Sequence, residues 1–95
     1  MSEATVSIRL HIQGRVQGVW YRGWAVAEAE ELGLSGWVRN RRDGSVEALI
    51  SGREWAVRTM VERCRVGPSA ARVDHLVEVP VSEAVGPGFR QLPTL

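Results

Sequence analysis

Close to the start of the chain, the residues alternate strictly between apolar and polar side chains. Over residues 5–13, the apolar set is Val6, Ile8, Leu10 and Ile12, and the polar set is Ser7, Arg9, His11 and Gln13. A period of two predicts a β-strand, because successive side chains of a strand point to opposite faces of its sheet. One face of this strand is therefore expected to be buried and the other to meet solvent.

Two later segments have the period of a helix instead. Residues 22–32 space their apolar side chains for a helix that ends at Gly33, and residues 52–66 do the same before Gly67 and Pro68. The apolar positions are Ala25, Val26, Ala29 and Leu32 in the first segment and Ala56, Val57, Met60, Val61 and Cys64 in the second. Both segments are therefore predicted to be amphipathic helices.

Three further segments are predicted to be strands. Residues 35–41 and 45–51 flank Asp43 and Gly44, a pair typical of the tight turn in a β-hairpin. Residues 71–80 are rich in valine and predict a fourth strand. The tail EAVGPGFRQLPTL holds too many Gly and Pro residues for more than a short segment at a sheet edge.

The predicted order of elements is strand, helix, strand, strand, helix, strand. This order describes an α+β fold of the ferredoxin-like (split βαβ) type, an antiparallel four- to five-stranded sheet with two helices on one face. The 95 residues, 44% hydrophobic and 24% charged, suffice for one core and are too few for two domains. A single domain over residues 1–95 is therefore expected.

The composition narrows the classes of partner and of chemistry. The formal net charge is only +1, so no global field favours a nucleic acid or an anionic membrane as the partner. All 12 basic residues are Arg, which excludes Schiff-base and P-loop chemistry that needs Lys. Cys64 is the only cysteine, and no apolar run typical of a signal peptide or a membrane span is present. A cytoplasmic protein with neither a nucleic-acid nor a membrane partner is expected.

The stretch GRVQGVWYR places two glycines and an arginine directly before the first predicted helix. Arg22 is unfavourable there by itself, because the N-terminal end of a helix already carries about half a positive charge. Gly14 and Gly18 allow successive N–H groups to converge, and together with Arg22 they would form an anion site. The alternative is that the glycines only turn the chain and that Arg22 is solvated. Trp20 and Tyr21 are expected to brace the loop, with flanking a ligand as the alternative.

Asn40, the only asparagine in the chain, lies near the end of the second predicted strand. Strand alternation places it on the same face as Val38, and its carboxamide can accept a hydrogen bond from water or donate one to an oxyanion. The alternative is a turn-forming residue ahead of Asp43 and Gly44.

The remaining candidate residues carry weaker patterns. His11 and His75 lie far apart and no His or Cys spacing typical of a metal site is present, so neither a metal nor a cofactor is predicted. Cys64 belongs to an apolar helical stripe and is expected to be a buried, unreactive thiol. A basic patch on the hairpin is expected either to be a solvated rim or to steer an anion. This patch consists of Arg39, Arg41 and Arg42.

Two motifs together carry a family resemblance. The stretch IQGRVQGVWYR resembles the phosphate-loop signature of the acylphosphatase family, and GWVRNRRDGSVEALISG resembles the family's second signature over its whole length. The resemblance covers almost the entire chain and implies the ferredoxin-like fold. It also implies that Arg22 binds the substrate and that Asn40 positions the attacking water. The loop amides implied to hold the phosphate belong to Gln17, Gly18, Val19, Trp20 and Tyr21.

Three positions depart from the family pattern. Tyr21 stands where phenylalanine is usual, Arg41 follows Asn40 where some members have a hydroxyl residue, and Phe89 is the only aromatic residue of the tail. None of these departures affects Arg22 or Asn40.

The resemblance implies an enzyme that hydrolyses the carboxyl–phosphate bond of acyl phosphates by direct attack of water, without a metal. The residue inventory agrees, because an acyl phosphate expels a carboxylate, which can leave without metal or acid assistance. A small acyl phosphate is the expected partner, and the chain is expected to be a monomer. One rival class is a non-catalytic anion-sensing module, similar to the acylphosphatase-like domains of larger maturation enzymes. The other is an RNA-recognition module, which the absence of stacking aromatic residues from SVEALISG disfavours.

Overall fold

The elements of the fold follow the predicted order and add one strand at the end. The computed structural model describes residues 4–83 and 85–95. Its elements are β1 (Thr5–Arg15), α1 (Tyr21–Glu31), β2 (Ser35–Asn40), β3 (Val46–Arg53), α2 (Glu54–Val66), β4 (Arg72–Val81) and β5 (Phe89–Gln91). The predicted elements are therefore confirmed, with boundaries that differ by one or two residues.

The sheet has five strands in the order β4-β1-β3-β2-β5. Strand β1 pairs antiparallel with β3 and with β4, and β2 pairs antiparallel with β3. Strand β5 pairs with β2 in parallel, so the expectation of an antiparallel sheet is wrong at this edge and the sheet is mixed.

The parallel edge follows from the path of the chain after β4. Beyond β4, Glu83 forms an ion pair with Arg9 of β1, and the chain then reaches the opposite edge of the sheet beside β2. There the Gly36 N–H donates to the Gly88 carbonyl at 3.0 Å. Gly36 has a φ of 137°, and a Cβ there would lie 1.8 Å from the Leu49 carbonyl oxygen. The antiparallel pairings make β1 and β2 run in one direction and β3 and β4 in the other, so β5, which runs opposite to β4, is parallel to β2.

The core lies between the sheet and the two helices. Ile8, Leu10 and Ile12 of β1 are buried, which confirms the face predicted from the alternation. Helix α1 packs over β2 and β5, and α2 packs over β1, β3 and β4. The buried helical residues are Tyr21, Ala25 and Ala29 in α1 and Ala56, Val57, Met60, Val61 and Cys64 in α2. In residues 4–83 and 85–95, neither helix has the length and apolar character needed to span a bilayer.

The first residue of α1 is hydrogen-bonded to the last turn of α2. The buried hydroxyl of Tyr21 donates to the Cys64 carbonyl oxygen at 2.6 Å. A backbone donor for that carbonyl would come four residues later, where Pro68 has no N–H. Tyr21 therefore satisfies a carbonyl group that phenylalanine would leave without this donor. Burial raises the pKa of Tyr21, so its hydroxyl stays protonated.

Cys64 is buried, as its place in the apolar stripe predicts. Its side chain is 1% exposed, and burial raises the pKa of its thiol to about 12. Because the thiolate is the reactive form, this cysteine is a packing residue.

Candidate active site

The loop between β1 and α1 begins at an irregularity in β1. The register of β1 with β4 shifts between Gln13 and Gly14, and a Cβ on Gly14 would lie 2.2 Å from the Arg72 carbonyl oxygen. Val16 then returns to the core, where it is 1% exposed. The four residues that follow, called the 17–20 loop, thus leave the sheet immediately before α1 starts.

The 17–20 loop has left-handed backbone at two positions. Gly18 has a φ of 74° and Trp20 a φ of 66°. Left-handed residues within a turn let successive N–H groups face one side of the chain, which is the geometry of backbone anion sites. None of the N–H groups of residues 17–20 donates to another residue within 4–83 and 85–95. The first helical donor is Trp24, which donates to the Trp20 carbonyl at 3.0 Å.

A cleft of about 140 Å³ lies between this loop, the first turn of α1 and the end of β2. The lining residues are Val16, Gln17, Gly18, Trp20, Tyr21, Arg22, Gly23, Asn40 and Gln91. The cleft therefore brings together Arg22 and Asn40, which the sequence places on different elements. Of the residues predicted for the site, Gly14 and Val19 are outside this lining. The half-buried side chain of Val19 packs against the core.

Arg22 and Asn40 both offer donors that are not engaged with the protein. Among the described residues, neither the Arg22 guanidinium nor the Asn40 carboxamide has a hydrogen-bond or ion-pair partner. The lining contains no Asp or Glu, so the charge of Arg22 is not compensated within the cleft. Free N–H groups at the start of a helix add to this positive potential. Donors without protein partners and an uncompensated guanidinium are the chemical features of an anion site.

Gln17 connects the loop to the β2–β3 hairpin. Its Nε2 donates to the carbonyl oxygen of Arg41 at 2.7 Å and to that of Ser45 at 2.8 Å. Arg41 directly follows Asn40, so these two hydrogen bonds fix the end of β2 against the loop. The sequence interpretation used only the backbone of Gln17, and no local pattern points to partners so far along the chain.

The turn of the hairpin is held by Asp43 and Ser45. The Ser45 hydroxyl donates to Asp43 Oδ1 at 2.6 Å and the Ser45 N–H donates to the same atom at 2.9 Å. These hydrogen bonds lower the pKa of Asp43. His11 Nε2 lies 2.9 Å from the Ser45 hydroxyl oxygen, so this histidine belongs to the turn. The predicted Asp-Gly turn is confirmed, with Gly44 at a φ of 94°.

Two arginines of the basic patch form ion pairs with Glu47 of β3. Arg39 Nε and Arg41 Nη1 each donate to Glu47 Oε1 at 2.9 Å. Burial by itself would raise the pKa of Glu47, but these hydrogen bonds outweigh it and hold the pKa below its usual value. Arg39 also stacks over Trp37, with 4.6 Å from its guanidinium carbon to the ring centre. Neither Arg39 nor Arg41 lines the cleft, so the patch is mainly a structural feature of the sheet.

The family model described as Acylphosphatase matches residues 8–90, which is most of the chain. The chain belongs to the acylphosphatase family.

Relatives and solved structures agree with this membership. The chain is 56% identical over 89 residues to an acylphosphatase of Rhodospirillum rubrum, covering 94% of this chain and 98% of that one. A crystal structure of an acylphosphatase from Bacillus subtilis has a TM-score of 0.87 at 34% identity, covering 92% of this chain and 98% of that one. An acylphosphatase structure from Coxiella burnetii has a TM-score of 0.89 at 31% identity, with 93% of each chain covered.

Three lining residues were not among the predicted site residues of this acylphosphatase family member. Val16 lies within the loop motif and Gly23 directly follows it, so their proximity to the predicted residues is the signal that could have found them. Gln91 comes from β5, and only the parallel pairing with β2 brings it to the cleft. In the described part of the chain, no group of three or more His, Cys, Asp or Glu residues is placed to hold a metal ion.

Proposed function

We propose that this chain is an acylphosphatase that hydrolyses the carboxyl–phosphate bond of small acyl phosphates in its 140 Å³ cleft. One observation carries the proposal. Arg22, Asn40 and loop residues whose backbone N–H groups have no partner among the described residues line one small cleft, and none of the cleft's side chains is acidic. This donor set fits the three charged oxygens of a phosphoryl group.

Arg22 and the N–H groups of the 17–20 loop bind the phosphoryl oxygens of the substrate. The planar guanidinium can donate to two oxygens at once, and the backbone donors need no reorganisation during the reaction. As charge shifts among these oxygens in the transition state, both kinds of donor stabilise it. Their contribution is therefore electrostatic.

Asn40 holds the attacking water in line with the bond that breaks. Its carboxamide oxygen accepts one hydrogen bond from the water, which leaves an oxygen lone pair directed at phosphorus. A bond forms between the water oxygen and phosphorus while the bond between phosphorus and the carboxyl oxygen breaks. The water proton passes to a phosphoryl oxygen, so the products are a carboxylate and inorganic phosphate.

The choice of an acyl phosphate rests on the leaving group. A phosphate ester would expel an alkoxide, the anion of an acid about as weak as water, and would need a metal or an acid to assist it. An acyl phosphate expels a carboxylate, which is a stable anion at neutral pH. Donors that position and stabilise, such as Arg22 and Asn40, are then sufficient without a metal.

The same proposal includes the setting of the enzyme. It covers a single domain over residues 1–95 that acts as a cytoplasmic monomer on a small molecule. The one continuous core supports the single domain. Neither a nucleic acid nor a membrane takes part in this function.

The test is phosphate release from benzoyl phosphate, acetyl phosphate and a phosphate monoester, each with and without a chelator. We expect hydrolysis of both acyl phosphates at a rate that the chelator leaves unchanged, and no hydrolysis of the monoester. Loss of activity with the chelator would contradict the metal-independent mechanism. Binding of inorganic phosphate without any turnover would favour the anion-sensing module instead.

A further inference from the structure

Phosphate binding accounts for the left-handed backbone at position 20 but not for the exposed indole that Trp20 carries there. Its φ of 66° and ψ of 25° are left-handed, which is unfavourable for every residue with a Cβ atom. Its side chain is also 67% exposed, although an indole gains more from burial than most side chains. A glycine would give the loop the same backbone without either disadvantage.

The missing side chain of Gly23 keeps the indole at the cleft. A Cβ on Gly23 would lie 2.1 Å from Trp20 Nε1 and 2.7 Å from its Cδ1, so the pyrrole ring lies directly over this glycine. Any larger residue at position 23 would displace the indole. The left-handed backbone of Trp20 and the absence of a side chain on Gly23 therefore both place the indole over the first turn of α1, at the rim of the cleft.

The size of the cleft leaves the acyl part of a substrate outside it. Clefts that enclose a whole drug-sized ligand have volumes of about 300–1,000 Å³, whereas this one has about 140 Å³. It can hold the phosphoryl group and the attacking water, so the acyl group must lie at the rim. Among the described residues, Trp20 is the only large exposed apolar side chain that also lines the cleft.

We propose that the indole of Trp20 binds the acyl group, so that the site prefers acyl phosphates with a flat, apolar acyl group, aromatic ones above all. Aromatic rings gain both apolar burial and ring–ring attraction when they stack on an indole. A second carboxylate on the acyl group would have no partner, because Arg22 is the only charged residue of the lining and binds the phosphoryl group. This inference rests on the proposed function.

Such a contact is made equally in the bound substrate and in the transition state. It therefore lowers KM for aromatic substrates and leaves kcat unchanged. Because Trp20 also belongs to the phosphate-binding loop, its replacement can change the binding of the phosphoryl group itself. The effect on phosphoryl binding must therefore be measured separately, with a ligand that lacks an acyl group. Competitive inhibition by inorganic phosphate supplies this measurement.

The experiment measures KM and kcat for benzoyl phosphate and acetyl phosphate, and the inhibition constant of phosphate, in the parent, Trp20→Ala and Trp20→Phe. Trp55→Ala is the matched control, since Trp55 is 58% exposed on α2 and does not line the cleft. We expect Trp20→Ala to raise KM for benzoyl phosphate about five- to tenfold more than KM for acetyl phosphate, after correction by the phosphate constant. Trp20→Phe should retain most of the parental difference in KM between the two substrates. Trp55→Ala should leave that difference unchanged.

Equal changes for both substrates in Trp20→Ala, or no change for either, would overturn the role of Trp20 while leaving the proposed function in place. A parent protein that hydrolyses neither substrate would overturn the proposed function and this inference with it. A second measurement avoids turnover: calorimetry with phenacylphosphonate and acetonylphosphonate, non-hydrolysable analogues that differ only by phenyl against methyl. The parent should bind the phenyl compound more tightly, and Trp20→Ala should lose this difference.

Discussion

The carboxamide nitrogen of Gln17 lies 2.7 Å from the carbonyl oxygen of Arg41, the residue that follows Asn40. The same nitrogen donates a second hydrogen bond to the Ser45 carbonyl oxygen at 2.8 Å, so two hydrogen bonds join the loop to the hairpin. The loop that offers backbone donors and the strand end that offers a carboxamide are thus held at a set distance. This distance matters because an attacking water must be aligned with a phosphoryl group that the other element binds.

Replacement of Gln17 by alanine should therefore reduce turnover more than phosphate binding. We expect kcat to fall about tenfold to a hundredfold, since a displacement of about 1 Å can cost that much, with a smaller change in the inhibition constant of phosphate. Steady-state kinetics on an acyl phosphate measure both quantities. Gln13→Ala, an exposed glutamine on β1, is the control and should match the parent. Equal kinetics in Gln17→Ala and the parent would contradict the positioning role.

Asn40→Ala should keep phosphate affinity and lose turnover. Loss of one preorganised polar group typically costs about a hundredfold or more in kcat, or about 3 kcal/mol in the activation free energy. Titration calorimetry with inorganic phosphate reports on binding, and hydrolysis of acetyl phosphate reports on turnover. Hydrolysis at the parental rate would show that Asn40 does not position the water.

Arg22→Ala should weaken both phosphate binding and turnover, since the guanidinium contacts the phosphoryl group before and during the reaction. We expect a loss of about a hundredfold or more in kcat/KM together with a clear rise in the phosphate inhibition constant. Arg22→Lys should recover only part, because an ammonium group lacks the planar pair of donors. Arg42→Ala is the control, as Arg42 is exposed and outside the cleft lining. Unchanged phosphate affinity in Arg22→Ala would refute its binding role.

Tyr21→Phe should lower stability while keeping the buried ring. The Cys64 carbonyl would lose its donor, and an unsatisfied buried acceptor costs about 1–3 kcal/mol. For a domain of this size each kcal/mol corresponds to a decrease in Tm of about 4–8 °C. Thermal and urea unfolding of the two proteins measure the difference. A Tm equal to that of the parent would mean that the hydrogen bond to Cys64 contributes nothing to stability.

The pH dependence of stability should depend on Glu47. Its pKa in the folded protein is lower than its usual value of 4.5, so the unfolded chain binds the proton more readily. The stabilisation is present above pH 4.5 and is lost as the pH falls through the folded pKa. As the pH decreases from about 6 to about 3, the Tm of Glu47→Gln should therefore fall less steeply than the Tm of the parent. Asp43, whose pKa is also lowered, acts in both proteins and cancels in the comparison. Parallel Tm curves would contradict this account.

Local patterns of the amino-acid sequence were enough to predict the helices and strands, and to find the two parts of the site, which are the loop motif and Asn40. The period-two alternation in β1 and the apolar stripe of α2 each report which face of a residue's own element is buried. Gly18 and Arg22 lie within a few residues of each other, so the loop motif could be recognised without knowing the fold. Asn40 could likewise be placed at a strand end without knowing the fold.

The contacts that complete the site were decided only by the tertiary structure. Gln17 to Arg41, Tyr21 to Cys64 and Arg39 to Glu47 each join different elements, and the side-chain period of one element carries no information on its partner in another. The parallel pairing of β5, which brings Gln91 to the cleft, depends on the path that the chain takes across the sheet. The neighbours of a side chain along the sequence determine which face of its element it occupies, so the buried face could be predicted. Its hydrogen-bond partner is determined by how the elements pack, so the partner could not be predicted from the sequence.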